Sequence, residues 1–522
     1  MNKQIELSLP PELAFDEEHF QASCAEQLHL TAEQAFRVIK RSIDARGKQV
    51  VVRLLGEIVH KGEALQKIDY KKPSIDVSKG RQVVIVGAGP AGLFAALRLL
   101  EAGIKPVILE RGKDVQARRR DLAAINKDHV VNPHSNYCFG EGGAGTYSDG
   151  KLYTRSSKRG NIQRILQILV VHGAKEEILY DAHPHIGTNK LPVLIQEIRN
   201  TILACGGEIR FDTHVDGLVV SNDELKGVKT SAGHTFMAEA CILATGHSAR
   251  DIFEMLHRIK VRIEAKPFAI GVRVEHDQRL IDSVQYHCDG NRGDFLPAAS
   301  YSLVAQTTSG GRERGVFSFC MCPGGFIVPS ATAPGEVVVN GMSPSRRDSR
   351  FANSGIVVAV GLEDLAAYRQ HGPLAGMYFQ KMVEQKACTM AGGTQVAPAQ
   401  RLVDFTNQKA SSSLLETSYQ PGLAAADVGS LFPDFITDSL RMGLKAFGAK
   451  MKGYLTNEAQ VVGVESRTSS PVRIPRHAET LEHEGLKRLF PCGEGAGYAG
   501  GIVSAAMDGE RIAEAVISKY FK

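Results

Sequence analysis

The chain has 522 residues, 43% of them apolar, with 62 Lys and Arg against 57 Asp and Glu and a formal net charge of +5. That length supports two or three domains with cores of their own, and the basic clusters Arg118 to Arg120 and Arg346, Arg347 and Arg350 lack the interleaved aromatics that stack bases, so nucleic acid is not an expected partner. Nine scattered cysteines with no Cys-x-x-Cys argue against a disulfide framework and a metal site, and no leader pattern or run of about 18 apolar residues is present, which predicts a cytoplasmic protein without a membrane span.

In chain order, residues 1–75 read as a small α+β module. An alternating strand, "QIELSLP", is followed by helix-like segments around Glu17 to Gln27 and Thr31 to Ala45, then the β-rich "KQVVVRLLGEIV". The polar "KIDYKKPSIDVSKG", interrupted by Pro73, is a linker. From Arg81 the pattern becomes a buried strand, "QVVIVG", a helix spaced through Leu93, Ala96, Leu97 and Leu100, and a second buried strand, "PVILE". This βαβ unit carries Gly87, Gly89, Pro90, Ala91 and Gly92 at its first turn. Gly87 allows the turn, Gly89 admits a pyrophosphate to the backbone, and Gly92 lets helix and strand pack, while the helix N-terminus favours negative charge. Glu110, closing the second strand 18 residues after Gly92, suits ribose hydroxyls and argues against a 2′-phosphate.

Two further glycine runs lack the strand–turn–helix–strand context. "CFGEGGAGTYSDGKL" (Cys138 to Leu152) is a loop flanked by Pro133 and Asn136, and its glycines let amides crowd against a ligand. "GAGYAG" (Gly495 to Gly500) precedes a final helix, and no strand follows it.

The strand end "CILATGH", with Ala244, Thr245, Gly246 and His247, and the late segment "LFPCGEGAGYAGGI" join the "LER" of Leu109, Glu110 and Arg111 in a wider pattern. In these the chain resembles the flavoproteins related to glutathione reductase, in their second subgroup. The resemblance implies one FAD as cofactor. It implies that Glu110 holds the adenosine ribose, that Arg111, Ala244, Thr245, Gly246 and Gly493 lie beside the cofactor, and that Glu494 takes the ribityl-contacting role. It also implies that Gly501 and Ile502 start a helix aimed at the flavin pyrimidine, and that Gly143, Ala144, Gly145 and Thr146 wrap the same cofactor. The runs "HPHIGTNKL", "KPFAIGVRVEH", "FSFCMCPGGFIVPS", "VVNGMS" and "ESRTSSPVRIPR" are similar, over essentially the whole chain, to a bacterial family described as uncharacterised FAD-dependent dehydrogenases.

The expected fold class is therefore α/β. A discontinuous Rossmann-like FAD-binding domain (80–250 and 483–522) carries an inserted, mainly β or α+β substrate domain (251–482) beside the N-terminal module. Candidate catalytic groups are Arg467 and Arg473, whose guanidinium groups suit an oxyanion, His247 as an acid or base, and Lys151 beside the flavin or substrate. No second fingerprint offers a resident NAD(P)H site, so any nicotinamide donor visits transiently. The leading reading is an oxidoreductase exchanging hydride between flavin N5 and an organic small molecule. Three others stand beside it: an RNA-modifying flavoprotein, a thiol/disulfide redox protein using Cys320 and Cys322, and a redox sensor with structural FAD.

Overall fold

The computed structural model describes residues 4–154 and 160–521. Its organising element is a five-stranded parallel sheet in the order Leu489–Pro491, Cys241–Leu243, Gln82–Val86, Lys105–Leu109, Glu208–Arg210. Strands such as "QVVIV" are apolar at consecutive positions because both faces are covered. Val83 and Ile85 meet the helices Pro90–Glu101, Leu191–Ala204 and Ile502–Tyr520, while Val84 and Val86 meet the helix Arg250–Arg258 and the three-stranded sheet formed by 215–237. This is an α/β, Rossmann-like arrangement, and the chain's last helix completes a core begun at Val83.

The segment between the last two parallel strands builds a seven-stranded sheet, mostly antiparallel, around the paired strands Phe268–Asp277 and Phe351–Val360. The helices Ala375–Met390 and Asp434–Lys450 cover it. Helix Arg250–Arg258 packs on the parallel sheet through Ile252, Phe253 and Leu256.

One sequence expectation is corrected in the N-terminal module. Thr31 to Ala45 reads as a helix, yet Gln34–Asp44 is a strand paired antiparallel with Val51–His60. A bulge between Val38 and Lys40 shifts the register, breaks the two-residue alternation and leaves apolar residues at a spacing that mimics a helix. The module docks on the larger body through Arg41, which pairs with Asp181 at 2.7 Å and lies over the rings of Phe15 and Tyr180. Among the described residues no helix is long and apolar enough to cross a membrane, and no group of three His, Cys, Asp or Glu could hold a metal ion.

Candidate functional site

The turn after Gln82–Val86 is shaped by close backbone approach. Gly87 has φ +105°, and a Cβ there would stand 2.5 Å from the Ala244 carbonyl oxygen, so only glycine fits. A methyl at Gly92 would overlap the Gly87 carbonyl, which fixes the helix against its own turn. Gly89 differs: its missing Cβ would meet nothing nearer than Gly143 Cα at 4.0 Å, so it faces open space. Helix Pro90–Glu101 begins here with no side-chain cap, leaving its first-turn amides without intrahelical partners.

The glycine loop folds onto this turn. The Gly142 amide donates to the Ala88 carbonyl at 2.8 Å, and Gly143 and Gly145 lie against Gly89, Pro90 and Ile502. Ile502–Tyr520, preceded by Gly501, is a second helix without a side-chain cap. Both helix N-termini open onto one cavity of about 380 Å³, and the positive ends of their dipoles favour an anionic occupant.

Of the expected cofactor residues, Gly87, Gly89, Pro90, Ala91, Glu110, Arg111, Gly143, Ala144, Gly145, Ala244, Thr245, Gly246, Gly493, Glu494, Gly501 and Ile502 line this cavity. Gly92 and Thr146 do not. Gly92 serves packing, and Thr146, 1% exposed, turns its hydroxyl back to the Glu141 carbonyl at 2.9 Å, so it braces the loop rather than facing a ligand.

The buried Glu110 accepts from the amides of Gly112 and Gly140 on Oε1, at 2.9 and 3.0 Å, and from Ala88 on Oε2 at 2.8 Å. Oε2 keeps a lone pair for a hydroxyl. Arg111 pairs with Asp251 and lies 4.4 Å over the Phe139 ring. Asp251 also takes His214 Nε2 at 2.7 Å; burial opposes its charge, but His214 and Arg111 outweigh that and hold its pKa at about 2. At another stretch of the wall, His247 donates from Nε2 to the Arg467 carbonyl at 3.0 Å, which turns Nδ1 toward Glu494 Oε1 at 3.5 Å. Asp508 fixes the adjoining turn by accepting from the Gly493 amide at 2.7 Å and from Arg476 at 2.6 Å.

The two arginines expected to clamp an oxyanion are engaged elsewhere. Arg467 reaches the cavity wall, but its guanidinium is buried between Glu384 (2.9 Å), Glu336 (3.0 Å) and the Thr332 hydroxyl (2.7 Å). Two carboxylates already satisfy it, which removes it as a substrate clamp. Arg473 lies outside the cavity lining, on a short strand paired with Glu264, its guanidinium 5.2 Å over the Tyr498 ring. Lys151 and His247 do line the cavity.

Asp149, Cys320, Asn340 and Thr468 line it as well, and sequence reasoning did not place them there. Asp149 is 1% exposed and stands 3.7 Å from Lys151 and 2.8 Å from Arg347. Burial works against the Lys151 charge, but Asp149 and the nearby thiols more than restore it, so the ammonium lies above the ordinary lysine range. Only the pair "SDGK" within the glycine loop hinted at such an ion pair.

A family model described as FAD-dependent protein, C-terminal domain-like, matches residues 267–468, and one described as FAD binding domain matches 81–125; residues 1–58 match a domain of unknown function. A thiamine thiazole synthase from Aeropyrum pernix is 31% identical over 147 residues, 28% of this chain and 42% of that protein. Among solved structures, the chain is similar to a glycine oxidase from Bacillus cereus (14% identity, 84% of this chain and 96% of that one, TM-score 0.30). It is likewise similar to CtdE in complex with FAD and a substrate (13%, 84% and 82%, TM-score 0.33), and likenesses at these scores carry no argument about activity. A protein from Clostridium beijerinckii, described as uncharacterized, is 41% identical over 514 residues, 95% of each chain. With that relative and the matching models, the chain belongs to the family of the Clostridium beijerinckii protein, a family of FAD-dependent proteins.

Proposed function

We propose that the protein is an FAD-dependent oxidoreductase acting on an organic small molecule, within the glutathione-reductase-like flavoproteins. The observation that carries the reading is the convergence of two uncapped helix N-termini, the Gly87 turn and the glycine loop on one cavity, with Glu110 and Glu494 in its wall. The residues fit FAD in kind. Open space over Gly89 and the first-turn amides suit a pyrophosphate, Oε2 of Glu110 suits a ribose hydroxyl, and the Ile502 helix start favours the negative charge of a reduced pyrimidine.

When bound, FAD supplies a two-electron carrier that exchanges hydride at N5. The chain's own part is placement and proton handling. His247, held by the Arg467 carbonyl and facing Glu494, can hold a proton at Nδ1. Lys151 offers a positive charge to an anionic or carbonyl group. The inserted body contributes Phe319, from the seven-stranded sheet, and Asn340, from the two-stranded pair Phe326–Pro329 and Val339–Met342, to the wall. A nicotinamide donor would visit transiently. Anaerobic stopped-flow mixing of the flavin-loaded protein with NADH, NADPH and reduced metabolites tests the reading: bleaching of the flavin by one of them supports it, and a flavin inert to all of them refutes it.

A further inference from the structure

The glycine loop meets the inserted body at one end of the cavity. Ser148, Asp149, Gly150 and Lys151 line the wall there, the Gly150 carbonyl accepts from the Ile186 amide at 3.1 Å, and Lys151 bridges to His185. Lys151 reaches across the seam and donates to the Met321 carbonyl on the strand Arg312–Cys322. Its side chain keeps 37% of its surface open, and the ammonium makes no other hydrogen bond among the described residues. Asp149 Oδ2, 3.7 Å away, is beyond hydrogen-bond reach and is already taken by Arg347 at 2.8 Å.

Asn340 supplies a second donor to the same stretch of wall. Its Oδ1 accepts from the Gly341 amide at 2.7 Å, which leaves Nδ2 unpartnered among the described residues. Gly341 is bare because the buried Arg273 guanidinium fills the place of a side chain. Arg273 in turn donates to the Cys320 carbonyl at 2.8 Å, one residue before the Met321 carbonyl that Lys151 holds. Glu465 pairs with Arg273, so that guanidinium brings no free charge. His185 brings none either, because burial, with Arg347 beside it, pushes its pKa down to about 4. Two cations, Lys151 and Arg347, thus face the single carboxylate of Asp149, and the Lys151 charge is left uncompensated.

Three buried polar atoms at this seam point to matter outside the chain. Asp149 Oδ1, Arg347 Nε and His185 Nε2 make no bond of ordinary geometry among the described residues. Nearly all buried polar atoms in folded proteins are paired, so three unpaired together mark a place that polar ligand atoms or ordered water complete.

We propose that Lys151 and Asn340 form a carboxylate-binding subsite, and that the substrate of the proposed oxidoreductase is a carboxylic acid held there through its carboxylate. Calling the ligand a substrate rests on the oxidoreductase reading; its binding needs no turnover. A neutral carbonyl would accept a hydrogen bond but leave the ammonium uncompensated once the ligand excludes water. A carboxylate balances that charge and accepts from Lys151 on one oxygen and from Asn340 on the other. The other cations in the lining, Arg111 and Arg467, are each held by carboxylates, so a doubly charged phosphate finds no second one. Phe319 and Tyr153 in the same lining suit an apolar body behind the carboxylate.

Benzoate is the probe, with benzamide as its neutral isostere and inorganic phosphate and chloride as competing anions. The flavin-loaded protein is titrated with each at pH 7 and constant ionic strength. Occupation is read from the flavin's visible absorption and, in parallel, from the rise in melting temperature, which needs no flavin. Benzoate is expected to bind about tenfold tighter than benzamide or better, and phosphate and chloride to give no saturable shift. Lys151→Met should weaken benzoate by about tenfold or more while leaving benzamide within about twofold, and Lys151→Arg should recover most of the loss. Asn340→Ala, which breaks no ion pair, should weaken benzoate by about tenfold, and it decides the matter where Lys151→Met fails to retain flavin. Benzoate that gives no saturable shift, binds no tighter than benzamide, is displaced by equal phosphate, or binds Lys151→Met as it binds wild type would overturn the proposal. A flavin shifted by benzoate yet inert to every electron donor refutes only the oxidoreductase reading. A flavin that donors bleach and carboxylates leave unmoved refutes only the subsite.

Discussion

Arg467 is where sequence and structure assign different work to one side chain, and Arg467→Met separates them. Two guanidinium groups, Arg467 and Arg250, and two carboxylates, Glu384 and Glu336, meet in a nearly water-free cluster. Arg250 lies 2.8 Å from Glu384 and 3.3 Å from Glu336. Removing Arg467 leaves two buried carboxylates to one cation, and breaking such a pair costs about 3–5 kcal/mol. Because Arg250 remains, the lower end applies, and about 3 kcal/mol corresponds to a drop of roughly 6–12 °C in melting temperature for a body of this size. The loss should depend on pH in a set direction. Burial opposes ionisation of Glu384, but Arg250 and Arg467 prevail and hold its pKa at about 2, below the ordinary carboxylate range. Its pairing therefore adds stability above pH 4 to 5 and loses it as pH falls toward 2. The gap between variant and wild type should be widest near neutrality and narrow on acidification below pH 5. Far-UV circular dichroism is the suitable probe, since the chain has no tryptophan. A variant that melts like wild type at pH 7, with the same pH profile, would refute the buried-network account and return Arg467 to the role of a substrate clamp.

Gly87→Val should lose most of its FAD affinity and be less stable by about 1–3 kcal/mol, because the side chain meets the Ala244 carbonyl at a backbone angle valine resists; flavin titration and melting measure the two effects. Glu110→Ala strips the acceptor from three amides and the proposed ribose contact, so FAD binding should weaken by about tenfold or more in fluorescence titration. Gly509→Val tests the junction of the two cavity helices: its side chain would overlap the Ala91 carbonyl, and overpacking of this kind costs about 1–3 kcal/mol, read as a lower melting temperature with partial flavin loss.

What the sequence made legible was local. The run from Gln82 to Glu110 specifies strand, turn, helix and strand by adjacent residues, so glycine spacing and buried strands suffice to read it. The C-terminal segment was legible through resemblance, since its partner strand lies more than 200 residues upstream at Cys241–Leu243. The misread helix at Thr31 to Ala45 failed because a bulge disguised the strand period. Arg467 and Thr146 failed for another reason: each has its side chain turned toward residues that only tertiary packing brings near, Glu384 and Glu336 for one, the Glu141 carbonyl for the other. The place of Cys320 and Asn340 in the cavity wall was illegible for the same cause, because both come from segments far along the chain from the glycine turns.

The cavity between the two helix N-termini is the centre of the account, and its occupant is the most direct test. The protein should be purified, denatured, and the released flavin identified and quantified against chain concentration. The account predicts a yellow protein that releases about one FAD per chain, with Glu110→Ala releasing far less under the same handling. A colourless chain that takes up no FAD when incubated with it would contradict the account.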